Sequence, residues 1–298
     1  MLVWINGEMK DEKEVEIHPL SHSLHYGDAA FEGIRAYEQK DGSVAIFRLK
    51  EHAERMVRSS EILMGTNVPF TAKDVEEACK AVIRENNHKD AYIRPIFFLG
   101  NGTIGLNNIE KNKQYLAVMA LPFPSYLGDK PIRVMISSYR KTPSVVQPST
   151  AKLSANYVNS IFATREAKRA GYDEALLLNI HERVAEGPGE NFFLVKKGKI
   201  YTPPVSEDIL EGITRDTVIT IARELGYEVI ERTLGVSDIY GAEEAFFTGT
   251  AAEVTPIAEV SSFKFGDGST GPITEKIRSS FKEAVRGNTE HKEWLSKV

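Results

Sequence analysis

Pro122-Phe123-Pro124-Ser125-Tyr126-Leu127-Gly128-Asp129-Lys130-Pro131 carries three prolines and a glycine in ten residues, between two stretches patterned as strands and helices. Proline fixes φ and removes an N–H, so this run reads as a linker rather than a continuing sheet or helix. It divides the chain into a smaller N-terminal αβ domain at 1–121, an interdomain loop at 122–131 and a larger C-terminal αβ domain at 132–298. Upstream, strands are expected at Val44–Phe47, Ala91–Leu99 and Gln114–Leu121, with a charged helix over about Lys50–Leu63. A second helix opens at Thr71-Ala72-Lys73-Asp74, a capping-box pattern, and Val75, Cys79, Val82 and Ile83 then recur at helical spacing. Downstream, a strand at Ile132–Ser137 precedes a helix from about Ala155 to Ala170, ended by Gly171. Strands at Glu174–Asn179 and Asn191–Val195 follow. A helix then runs from near Ile213 to Leu225 on a stripe of Val218, Ile221, Ala222 and Leu225, and a final one covers Ile273–Arg286. The expected fold class is mixed α/β, of the α+β kind.

Composition narrows the function. At 298 residues and 42% hydrophobic, the chain has ample material for a core. Its net charge of −5, with the signs interspersed, offers no basic surface for nucleic acid. The longest apolar run, Tyr115 to Phe123, falls well short of the ~20 residues of a membrane helix. Met1-Leu2-Val3-Trp4-Ile5-Asn6-Gly7 lacks a cationic n-region and reads as a strand entering a turn, not a signal peptide. The single cysteine, Cys79, sits on a buried helical stripe and excludes an internal disulfide framework. No pair of histidines has a zinc spacing, so no metal is expected. The expectation is a soluble, cytoplasmic globular protein.

Gly100-Asn101-Gly102-Thr103-Ile104-Gly105 is a literal G-x-G-x-x-G after a strand. The dinucleotide fingerprint needs its third glycine to open an apolar helix, and the turn-rich Leu106-Asn107-Asn108-Ile109-Glu110-Lys111 follows instead, so this is read as a loop. Three other segments are stronger candidates. Ile209–Asp216 places a glycine and a threonine at the mouth of an amphipathic helix, where free N–H groups face an anion or an ordinary cap. Phe247-Thr248-Gly249-Thr250-Ala251-Ala252-Glu253 runs an apolar strand into small residues and hydroxyls, either a ligand-approaching backbone or a plain turn. Ala185-Glu186-Gly187-Pro188-Gly189-Glu190-Asn191-Phe192-Phe193 packs two carboxylates and an asparagine around a restricted turn ahead of an apolar strand.

In order, these segments resemble the class IV, or fold-type IV, pyridoxal-5′-phosphate aminotransferases. The resemblance covers essentially the whole chain. It also rests on His25-Tyr26-Gly27-Asp28-Ala29-Ala30-Phe31-Glu32-Gly33-Ile34-Arg35, Arg48–Arg55, Tyr92-Ile93-Arg94-Pro95 and Ala151-Lys152-Leu153-Ser154-Ala155-Asn156-Tyr157. The Tyr-Ile-Arg-Pro, His-Tyr-Gly and Phe-Glu-Gly-Ile-Arg pieces are most similar to branched-chain amino acid aminotransferases. The sequence departs from the family where Pro188 replaces a small residue and where Leu153-Ser154-Ala155 replaces glycines.

The resemblance implies a two-domain fold whose larger C-terminal domain is of pseudo-barrel type, and pyridoxal 5′-phosphate as cofactor. It implies transamination of leucine, isoleucine and valine with 2-oxoglutarate; a D-amino acid aminotransferase or an aminodeoxychorismate lyase of the same fold is the alternative. Lys152 is implied as the Schiff-base lysine and proton carrier, Glu186 as partner of the pyridine nitrogen and Tyr157 as partner of the phenolic oxygen. Arg55 is implied as phosphate clamp, with Ile213, Thr214 and Thr250 completing the phosphate cup and Leu210 packing on the ring. For substrate, Phe31, Tyr92 and Tyr126 would form apolar walls, and Arg94, with Tyr26 hydrogen-bonding nearby, would hold the distal carboxylate of glutamate. Thr250 and Ala251 would offer N–H groups to the α-carboxylate, and Arg35 would orient the pocket or serve a structural ion pair. Tyr126 makes the linker a movable wall that gates access. A homodimer or a larger homo-oligomer such as a hexamer is expected by the same analogy.

Overall fold

The computed structural model describes residues 1–123 and 127–298. The chain forms two compact units. One comprises Met1–Pro124, Ala151–Ala155 and Val285–Val298; the other comprises Ser125–Thr150 and Asn156–Ala284. The first therefore takes in two segments that lie beyond the linker in sequence. Ala151–Ala155 joins it by backbone hydrogen bonds, Phe31 N–H to Lys152 O at 3.1 Å and Ser154 N–H to Ala29 O at 2.8 Å. Ala151 and Leu153 also bury themselves beside Ala30. The C-terminal segment joins because Leu295–Lys297 pairs antiparallel with Val44–Phe47. Linear spacing carries no signal of either pairing, which is why the reading from sequence placed both segments with the C-terminal domain.

The first unit is built on an antiparallel sheet. Its strand order is Leu295–Lys297, Val44–Phe47, Ile34–Glu38, Ala91–Leu99, Gln114–Pro122, Leu2–Ile5 and Glu8–Asp11, with Ala29–Phe31 paired to Ala91–Leu99. Helices Leu49–Met64 and Ala72–Glu85 supply the apolar stripes that cover it. Leu49, Ala53 and Met56 of one helix, and Val75, Cys79, Val82 and Ile83 of the other, share a core with Ile46, Ile93 and Val118 of the sheet. Burying each large aliphatic side chain contributes about 1.5–3 kcal/mol. The Gly100–Gly105 segment has neither helix nor strand and leads only to a short 3-10 turn at Ile109–Lys111, as its composition implied.

The second unit holds a mixed sheet in the order Val229–Glu231, Lys199–Thr202, Asn191–Lys196, Glu244–Gly249, Glu253–Val260, Ile132–Arg140 and Glu174–Leu178. Single bridges at Leu178–Val184 and Arg183–Gly235 run from the end strand Glu174–Leu178 toward the segment that follows Val229–Glu231. Asn191–Lys196 and Glu244–Gly249 are buried along nearly their whole length, which fits strands covered on both faces. Their register sets Phe192 opposite Phe247 and Phe193 opposite Phe246, the second pair stacked at 4.9 Å. Helices Asn156–Arg169, Ile213–Glu224 and Pro272–Val285 complete this unit's longer elements. Among the described residues, no helix is long and apolar enough to cross a membrane.

Candidate active site

In the first unit, the end of Ala29–Phe31, the strand Ala91–Leu99 and the segment Ala151–Ala155 gather around Lys152. Its backbone N–H donates to Ser59 Oγ at 3.0 Å, and its Nζ lies 4.9 Å from the Phe31 ring centre. Burial lowers the Lys152 ammonium to about 8, the Arg55 charge working in the same direction and Glu32 against it. Arg94 reaches the same aromatic group, 4.7 Å from the Phe31 ring and 5.2 Å from the Tyr92 ring, and its Nη2 donates to Tyr92 Oη at 2.9 Å. Arg94 Nε is buried with no hydrogen-bond partner among the described residues. Gly33 is required sterically: a Cβ there would overlap Tyr92 Oη.

Arg55 is oriented by a buried carboxylate that carried no assigned role in the sequence reading. Its Nε donates to Glu32 Oε1 at 2.6 Å and its Nη2 to Glu32 Oε2 at 3.0 Å. His52 Nδ1 lies 2.7 Å from the same carboxylate. Burial pushes Glu32 toward protonation, and Arg55 and His52 overcome it, holding the group well below the usual carboxylate range. The Arg55 fork expected to grip a phosphate is thus engaged by Glu32.

In the second unit, Glu186 is buried at the tight turn before Asn191–Lys196. Its Oε1 lies 2.6 Å from Lys141 Nζ, while Oε2 accepts from Asn191 Nδ2 at 2.9 Å and from Leu210 N–H at 3.1 Å. Burial works against the Lys141 charge, and Glu186 outweighs it, so Lys141 stands above its ordinary value. The helix Ile213–Glu224 opens on Gly212 with no side-chain cap, leaving the first-turn N–H groups of Ile213 and Thr214 without a side-chain acceptor there. Thr248 stands opposite Asn191 in the sheet, and its buried Oγ1 has no partner among the described residues. Thr250 and Ala251 lie in the half-buried turn that follows. Tyr157 lies in the first turn of Asn156–Arg169, near enough for its hydroxyl to act on the Lys141 charge.

The structure thus brings Lys152, Phe31, Tyr92, Arg94 and Arg55 together in one unit, and Glu186, Leu210, Ile213 and Thr214 in the other. Arg35, buried opposite Tyr92 in register, lies 5.0 Å from the Tyr37 ring and 5.4 Å from that of Phe123. The tyrosine bonded to Arg94 is Tyr92, while Tyr26 Oη accepts from Gly105 N–H at 3.2 Å. Tyr126 lies outside the described residues. Glu32, His52, Lys141 and Asn191 were missed as contributors. A lone charge inside Ala29–Ile34 is the one signal that points to Glu32. Lys141 meets Glu186 only through the fold.

Comparison with known proteins places the chain among its relatives. The family model for amino-transferase class IV matches residues 29–260. A branched-chain-amino-acid aminotransferase of Pseudomonas aeruginosa is 41% identical over 302 residues, covering 100% of this chain and 97% of the relative. The structure of a branched-chain aminotransferase from Thermoproteus uzoniensis with norvaline superposes with a TM-score of 0.95 at 41% identity, covering 100% of this chain and 99% of that one. The T.th. branched-chain amino acid aminotransferase complexed with N-(5′-phosphopyridoxyl)-L-glutamate gives 0.93 at 42% identity, over 99% and 97% of the two chains. With a lysine amine brought near neutrality in one unit and a hydrogen-bonded carboxylate beside an open helix mouth in the other, the chain belongs to the class IV aminotransferases.

Proposed function

We propose that the chain transfers the amino group of branched-chain L-amino acids (leucine, isoleucine, valine) to 2-oxoglutarate, with pyridoxal 5′-phosphate as cofactor. The observation that carries this reading is the Lys152 amine, lowered to about 8 and set beside Phe31, Tyr92 and Arg94. The names of the relatives point the same way.

The residues fit the cofactor. Glu186 presents a buried carboxylate that accepts from two N–H donors, the Thr248 hydroxyl has no partner among the described residues, and Gly212 opens a helix mouth with no side-chain cap. When bound, pyridoxal phosphate supplies an electron sink for the charge left as the substrate's α-proton departs. Glu186 would hold a proton at the ring nitrogen, and Tyr157 would bond the phenolic oxygen. Leu210 would pack on the ring, while Arg55, Ile213, Thr214 and Thr250 would bind phosphate. Lys152 Nζ, partly neutral near pH 8, takes and returns the α-proton.

Substrate contacts divide by chemistry. Phe31 and Tyr92, with Tyr126, suit a branched apolar side chain. Arg94, whose buried Nε lacks a partner among the described residues, suits the distal carboxylate of 2-oxoglutarate or glutamate. Thr250 and Ala251 would offer N–H groups to the α-carboxylate, and Arg35 braces the aromatic wall from the adjacent strand. Exposed Leu24, Tyr26, Ile104 and Leu106, joined by the Tyr26–Gly105 hydrogen bond, support assembly into a homo-oligomer, which light scattering measures.

The test is steady-state turnover of L-leucine with 2-oxoglutarate, with borohydride trapping and peptide mapping of the cofactor. The reading expects turnover and a reduced tag on Lys152. Arg94→Ala should impair 2-oxoglutarate and glutamate far more than leucine. A tag on another residue, or equal losses on both substrates, would refute the corresponding assignment.

A further inference from the structure

Asn191 is the first residue of the strand Asn191–Lys196, and its side chain is nearly enclosed. One amide nitrogen serves two segments: Nδ2 donates to Glu186 Oε2 at 2.9 Å and to the Leu210 carbonyl at 3.0 Å. The opposite atom of the amide, Oδ1, rests against Gly212, where a Cβ could not fit without displacing it. The Leu210 N–H returns a hydrogen bond to Glu186 Oε2 at 3.1 Å, so carboxylate, amide and the 210–212 backbone close a ring of contacts. Gly212 is the residue on which the helix Ile213–Glu224 opens.

A carboxylate alone would be held by any pair of donors, and a helix mouth needs no asparagine at all. Asparagine suits this position because it offers two N–H donors and an acceptor on one planar group. Aspartate would set a second negative charge against Glu186, and alanine would leave Glu186 Oε2 and Leu210 O each one donor short in a buried site.

We propose that Asn191 is a positioning residue that fastens the Glu186 carboxylate to the mouth of the Ile213–Glu224 helix, so that ring-nitrogen and phosphate recognition are set by one rigid piece. The proposal rests on the reading that Glu186 and the helix mouth hold the two ends of pyridoxal phosphate. A perturbation of the link itself, at Asn191 or Gly212, should then be felt at both ends, whereas a change confined to one end should stay there.

The test uses the full-length protein stripped of cofactor, probed with two partial ligands: pyridoxal, which lacks the phosphate, and inorganic phosphate, which lacks the ring. Glu186→Gln should weaken pyridoxal alone, and Thr214→Ala should weaken phosphate alone. Asn191→Ala, which changes no charge, should weaken both, each by roughly two- to tenfold, the effect of one lost buried hydrogen bond. Gly212→Ala pushes Asn191 from the helix side and should weaken pyridoxal as well as phosphate; it carries the test alone if Asn191→Ala fails to fold. Thermal melting, which tracks stability, separates a general loss of fold from these affinities. Asn191→Ala weakening pyridoxal while phosphate affinity stays at the wild-type value would overturn the proposal, as would Gly212→Ala leaving pyridoxal unaffected. If the Glu186 and Thr214 variants themselves leave both affinities unchanged, the functional reading fails, and this proposal with it.

Discussion

Lys152 shows how a buried carboxylate, Glu32, tempers the acidity of a nearby amine. The Lys152 amine loses its water and lies in the field of Arg55, which together bring it to about 8; Glu32 restrains the fall. Trapping of Lys152 by an aldehyde in the cofactor-free protein should therefore be half-maximal near pH 8, against about 10.4 for an unperturbed lysine. Glu32→Gln removes the restraining charge, so the midpoint should move to lower pH, as mass-spectrometric labelling across a pH series would show. Lys152→Ala should abolish the tag and reduce leucine turnover by at least about a thousandfold. The position of the lysine was legible in Ala151–Tyr157 through the family resemblance. Its acidity was not, because Arg55 and Glu32 come from distant stretches of chain and meet it only in the fold.

At the scale of elements, local signals read well. Thr71 and Asp74 close the expected capping box, Thr71 N–H donating to Asp74 Oδ2 at 2.7 Å and Asp74 N–H to Thr71 Oγ1 at 3.3 Å. Thr71→Ala should cost about 1 kcal/mol in urea unfolding, with turnover per folded molecule unchanged. Gly33→Ala should instead spare the fold and spoil the site. The added Cβ displaces Tyr92, so the KM for leucine should rise by about tenfold, the scale of a lost apolar wall. Helix stripes were legible because their 3.6-residue period is written in consecutive residues. Leu295–Lys297 gave no such signal: two half-buried residues and an exposed lysine become a strand only because Val44–Phe47 offers an open edge.

For the whole molecule, Glu32 ties stability to acidity. Its carboxyl titrates lower in the folded protein than the ordinary value near 4.5, so the unfolded chain takes up the proton first as pH falls. Its contribution is complete above about pH 4.5 and is lost progressively below it. Glu32→Gln should cost about 3–5 kcal/mol at pH 7, because Arg55 and His52 lose their buried partner, and should flatten the decline in stability below pH 4.5. Urea midpoints from pH 3 to 7 test both effects. The division into two units was legible only in part. The proline-rich linker marks one crossing point, while the return of Ala151–Ala155 and Val285–Val298 to the first unit is written in backbone pairings that composition does not reveal.

That return has a consequence for biosynthesis. The edge of Val44–Phe47 leaves the ribosome long before its covering strand, Leu295–Lys297. Throughout translation of the intervening residues, an apolar edge stays open to stray pairing with other nascent chains. A 1–124 fragment should accordingly aggregate, and adding a synthetic 285–298 peptide should slow that aggregation in a turbidity assay.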